Sequence, residues 1–155
     1  AVRPNITYFH SSRYIGDLAN GDLCVAAGYS GDILQAAARA EEADNGNVIL
    51  YTIPKEGAVL WFDMMTIPAG APNAENAQTL MNFLMRPEII ADITNYVWYA
   101  NPNKAADEFV EAEIRNDTSI YPTDEVMKKL YIMEGRPQDA QRLMTRTWTN
   151  VKSGR

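Results

Sequence analysis

Three short apolar runs, each closed by a turn residue, constrain the fold of this chain more than any other feature. They are Leu23–Gly28 (LCVAAG), Val48–Ile53 (VILYTI) and Ala58–Ile67 (AVLWFDMMTI). Runs this short, bounded by Gly, Pro and Asn, read as buried strands rather than helices. Pro54 and Pro68 stop the second and third. Between the first two lies Ile33–Ala43, built of strong helix formers and ended by Asp44-Asn45-Gly46-Asn47. Strands alternating with helices predict an α/β architecture.

The flanking sequence reads as helix. Ser11 and Ser12 offer a hydroxyl cap to a short helix over 13–19. In the second half, Ala77, Leu80, Met81 and Leu84 share one helical face within 74–85, and Pro87 suits the first turn of a helix over 88–95. Further helices are expected over 105–114, from a Thr123 cap to Tyr131, and from Pro137 onward. The last carries a stripe of Ala140, Leu143, Met144, Thr147, Trp148 and Val151.

Composition narrows the partners. The chain has 155 residues, of which 46% are hydrophobic and 22% charged, and its net charge is −6. An acidic balance argues against nucleic acid, whose phosphates need clustered Lys and Arg. It suits a cationic ligand. The lone Cys24 allows no internal disulfide framework and no cysteine metal cluster. No apolar stretch reaches the length of a transmembrane helix. The chain opens without Met, basic region or apolar region, and Ala1 to Phe9 reads like the middle of a domain.

The residues offer little for catalysis. His10 is the sole histidine, and it reads as a residue satisfied in a loop or helix start. Gly28-Tyr29-Ser30-Gly31-Asp32 departs from the Gly-x-Ser-x-Gly nucleophile elbow, its second glycine one place too early. One His and one Cys make no zinc spacing, and no phosphate-binding glycine motif is present. No enzyme activity, cofactor or metal is expected.

Two places pair an aromatic with a carboxylate. Tyr29-Ser30-Gly31-Asp32 lies where a strand gives way to a helix, a position where α/β folds collect ligands. Asp32 could equally cap the helix that follows. Trp61-Phe62-Asp63 lies within the third apolar run, with Trp61 and Asp63 on one face by strand alternation. A carboxylate there needs a partner, either an internal donor or a cation from outside. A ring beside a carboxylate suits an ammonium through a charge-assisted hydrogen bond of about 1.5–3 kcal/mol and a cation–π term of about 0.5–2 kcal/mol. Two such units suggest a diamine.

These residues resemble the periplasmic polyamine-binding proteins of ABC-type uptake systems, especially the putrescine-binding branch. The resemblance rests on Tyr8-Phe9-His10-Ser11-Ser12-Arg13-Tyr14-Ile15, Asp17-Leu18-Ala19-Asn20-Gly21-Asp22, Gly28–Asp32, Ile53–Ala58, Trp61-Phe62-Asp63, Ala100–Ala106, Tyr121-Pro122 and Met144–Thr149. It implies a type II periplasmic binding protein-like fold of two lobes, with only the C-terminal half present. By that resemblance Asp32 and Asp63 hold ammonium groups, Tyr29, Trp61 and Tyr99 form aromatic walls, and Ser11 lines the cleft. The family often has Trp at Tyr29 and Phe at Trp61, which leaves the preferred polyamine open.

The same resemblance places residues 1–43 in one lobe and 44–112 in the other, with 113–155 returning to the first. The implied partners are a polyamine, an ABC permease and an N-terminal half of the same receptor, in the periplasm. A polyamine-sensing protein of the same fold, without transport, is the alternative.

Overall fold

The computed structural model describes residues 3–154. Two helices carry the first core. Helix α1 spans Tyr14–Ala19 and α2 spans Ser30–Glu42. Tyr14 and Leu18 from α1 meet Ile33 and Ala36 from α2 in a buried cluster. Residues four and three apart share a helix face, so each pair projects to the same side. Ile49 and Tyr51 pack on this cluster from the second apolar run. Asn45 and Asn47 fasten that run to α1, both donating to the Ala19 carbonyl at 2.8 and 3.1 Å.

A second core lies under α4, which spans Pro87–Val97 after α3, Ala74–Leu84. Ala91 joins Ala106, Val110, Ile114 and Ile120, and Leu34 of α2 packs on the same cluster. Thus α2 faces both cores. The last elements are α5 (Ala112–Asn116), α6 (Asp124–Met127) and α7 (Gln138–Ser153). No helix among the described residues is long and apolar enough to cross a membrane.

Several sequence expectations are corrected here. The α1 cap is not a serine hydroxyl: His10 Nδ1 accepts from the Ser12 and Arg13 N–H groups at 3.1 and 3.0 Å. An imidazole therefore satisfies donors otherwise orphaned at a helix start. The expected helix over 105–114 is split into a 3-10 turn, Lys104–Ala106, and α5. Asn95 Oδ1 takes the Glu111 N–H at 3.1 Å, so a side chain from α4 draws off a donor just before α5. The helix from Thr123 stops at Met127, and Thr123 makes no side-chain cap bond. Its continuation is drawn away because Tyr131 pairs in parallel with Val59.

The three apolar runs form no ladder among the described residues; the Val59–Tyr131 bridge is the one strand-like pairing there. Even so, residues 48–53 alternate between exposed and half-buried, the two-residue period of an extended strand. Val48 and Leu50, on the outward side, are 85% and 86% exposed. Apart from Thr52, both sides of the run are apolar, the composition of a strand covered on two faces.

Candidate functional site

The first centre is built at the start of α2. Tyr29 is extended, and the helix begins at Ser30, so Asp32 occupies the third helical position rather than the cap. This corrects the capping reading, since no side-chain cap bond forms at Tyr29. The Asp32 carboxylate is held instead by two tyrosines. Tyr14 donates to Oδ2 at 2.6 Å, and Tyr99 donates to Oδ1 at 2.9 Å.

Each hydroxyl also accepts a main-chain bond. Tyr14 takes the Tyr29 N–H at 3.1 Å, and Tyr99 takes the Asp32 N–H at 3.2 Å. Donors at a helix start lack intrahelical partners, so these side chains act as remote caps. Burial, with the bond to Asp32 as the next cause, pushes the Tyr14 hydroxyl up to about 12. Tyr99 moves the same way for the same leading causes. Both remain protonated donors at neutral pH.

Two glycines make room for the rings. A Cβ on Gly28 would lie 2.5 Å from the Tyr14 ring, and one on Gly31 would lie 2.3 Å from the Tyr99 ring. Tyr99 is aimed by the end of α4, where Trp98 takes a left-handed conformation at φ 60°. Trp98 packs on the second core, and Asn101 then donates to buried Thr94 at 2.9 Å. The loop carrying Tyr99 is thereby tied down on both sides.

The second centre is Trp61 with Asp63. The indole Nε1–H donates to Asp63 Oδ1 at 3.1 Å. That contact fits the expected shared face, and the pair is open, with Trp61 60% exposed. Among the described residues, ion pairs join Arg13 to Asp17, Lys55 to Glu56 and Arg86 to Glu88. Neither Asp32 nor Asp63 has a cationic partner among them. No His, Cys, Asp and Glu cluster among the described residues is suited to a metal ion.

The structure therefore unites Asp32 with Tyr99, sets Tyr29 beside them through its main chain, and unites Trp61 with Asp63. No hydrogen bond or ion pair joins the two centres among the described residues. Ser11 stands exposed in the loop before α1, beside the capping His10, and bonds to neither centre. Tyr14 is the residue that sequence reasoning missed. The sole local signal for it was an aromatic within a short helix; its contact partner lies 18 positions away.

Residues 2–122 match the sequence profile of the bacterial extracellular solute-binding proteins. The chain belongs to that family. As a solute-binding protein it is 58% identical over 154 residues to the putrescine-binding periplasmic protein SpuD of Pseudomonas aeruginosa, covering 99% of this chain and 42% of that one. It is 50% identical to the putrescine-binding periplasmic protein PotF of Escherichia coli, with the same coverages of 99% and 42%. The crystal structure of a spermidine/putrescine ABC transporter substrate-binding protein, PotD of Streptococcus pneumoniae, superposes with a TM-score of 0.71 at 30% identity. That match covers 98% of this chain and 45% of the other.

The chain thus spans less than half the length of these relatives, and it carries part of the periplasmic-binding-protein fold. The expected fold class holds at that level, although the apolar runs lie unladdered among the described residues. The relatives are binding proteins by name, and the family is one of periplasmic or extracellular proteins.

Proposed function

We propose that this chain forms the ammonium-binding part of a periplasmic polyamine receptor that captures putrescine or a related amine and passes it to an ABC permease. Asp32 and Asp63 each hold one ammonium group, Tyr29, Tyr99 and Trp61 line the methylene chain, and Ser11 is a polar contact at the cleft. The observation that carries this reading is the pair of carboxylates set beside aromatic rings with no cationic partner among the described residues. Asp32 is half-buried, and a half-buried carboxylate without a counterion is a favourable place for a cation; Asp63 is exposed and offers its charge beside the Trp61 ring. The 58% identity to a putrescine-binding relative supports the ligand class.

The remainder of the receptor supplies the rest of the cleft and pairs with the exposed apolar runs. In this arrangement residues 1–43 belong to one lobe and 44–112 to the other, with 113–155 returning to the first. The role is capture and delivery, without catalysis.

The test uses a full-length receptor made by replacing the matched 42% of the Pseudomonas aeruginosa relative with these residues. Asp63→Asn in that receptor should weaken putrescine binding by roughly ten- to a hundred-fold, as expected for loss of a charge-assisted bond, while the melting temperature stays close to the parent's. Unchanged affinity by calorimetry would remove Asp63 from the site.

A further inference from the structure

We infer that Tyr14 is a positioning residue of the amine site, acting through Asp32 rather than on the ligand. This rests on the reading of Asp32 as an ammonium partner. Tyr14 is 4% exposed, so its ring lies inside the first core and its hydroxyl is the part that reaches the site. That hydroxyl makes two bonds at once, donating to Asp32 Oδ2 at 2.6 Å and accepting from the Tyr29 N–H at 3.1 Å. One oxygen atom therefore sets the carboxylate and the main chain of the adjacent aromatic wall relative to each other.

The arrangement leaves acceptor capacity for a cation. A carboxylate offers about four acceptor directions, of which the two tyrosines occupy one on each oxygen. A further direction on each takes no other hydrogen bond among the described residues, and an ammonium could use it. Without the Tyr14 bond, Asp32 would be held from one side only, by Tyr99 of a distant loop. Free rotation of the carboxylate would then have to be lost on binding, and preorganisation is what removes that loss.

The position is also built into the backbone. Gly28 has no positive φ that would demand glycine, yet a Cβ there would meet the Tyr14 ring at 2.5 Å. Gly28 is therefore a spatial requirement of Tyr14, and the glycine before the site matches the tyrosine in α1.

Tyr14→Phe keeps the ring against Gly28 and removes only the hydroxyl. In the full-length receptor it should weaken putrescine binding about tenfold, the scale of a hydrogen bond to a charged group. The discriminating readout is a double-mutant cycle with Asp32→Asn, followed by NMR titration so that weak binding is still measured. If Tyr14 works through Asp32, Tyr14→Phe should change affinity less than about twofold in the Asp32→Asn background. Equal losses in both backgrounds, or no loss in the parent, would overturn the inference. If Asp32→Asn itself leaves affinity unchanged, the ammonium role of Asp32 fails and the inference falls with it. If Asp32→Asn weakens binding and Tyr14→Phe does not, the inference alone fails.

Discussion

Asp32 shows how a carboxylate is held without a salt bridge among the described residues. Its two oxygens take one tyrosine hydroxyl each, and hydrogen bonds to a charged acceptor contribute about 1.5–3 kcal/mol apiece. Because the donors are neutral, they orient the charge without cancelling it. The same bonds link the stability of the fold to alkaline pH. Tyr14 normally ionises near 10.0 and is raised to about 12 in the fold. A raised value means that its stabilising contribution is complete below the unfolded value and is lost as pH climbs through the folded one. Stability should therefore fall between about pH 10 and 12, and Tyr14→Phe should make that fall shallower; denaturant midpoints at stepped pH would read it. A slope identical to the parent's would mean that the hydroxyl is not held as described.

At the scale of elements, tertiary contacts decide where helices stop. The Tyr131 N–H donates to the Ala58 carbonyl at 3.1 Å, and the Tyr131 carbonyl accepts the Leu60 N–H at 2.8 Å. Those bonds end the helix begun after Thr123. Gly57 permits the approach: its φ is +101°, and a Cβ there would lie 2.1 Å from the Lys129 carbonyl oxygen. Gly57→Ala should cost about 1–3 kcal/mol, a typical cost of forced overpacking, with faster amide exchange at Leu60 and Tyr131. An unchanged midpoint with unchanged exchange would show that the bridge does not depend on that glycine. The α4 terminus follows the same logic. Thr94, Asn101 and Asn103 form a bonded chain, and it fixes the turn from which Tyr99 reaches α2.

The whole molecule leaves much apolar surface open. Val25, Val48, Leu50 and Met64 are each more than 80% exposed, and α7 carries Leu143 and Trp148 at 54% and 47% exposure. Where such residues adjoin in a contiguous patch, they mark a surface that a partner covers. If the rest of the receptor covers them and completes the cleft, the 155-residue chain alone should bind putrescine far more weakly than the full-length receptor. Calorimetry on both would test this, and tight binding by the isolated monomer would contradict it.

Much of this was legible in the residues themselves. Helices α2, α3, α4 and α7 follow from their formers and apolar spacing, since helical order depends on neighbours within one turn. The pairing of Trp61 with Asp63 follows from strand alternation, a relation over two positions. The family, too, is written in motifs spread along the chain. Tertiary structure alone decided that Asp32 is gripped by Tyr14 and Tyr99, across 18 and 67 positions. It also decided that His10 caps α1, that two helices are cut short, and that the apolar runs lie without a ladder among the described residues. A strand's bonds go to another segment, and a side chain's distant partner is chosen by packing. Local sequence carries neither.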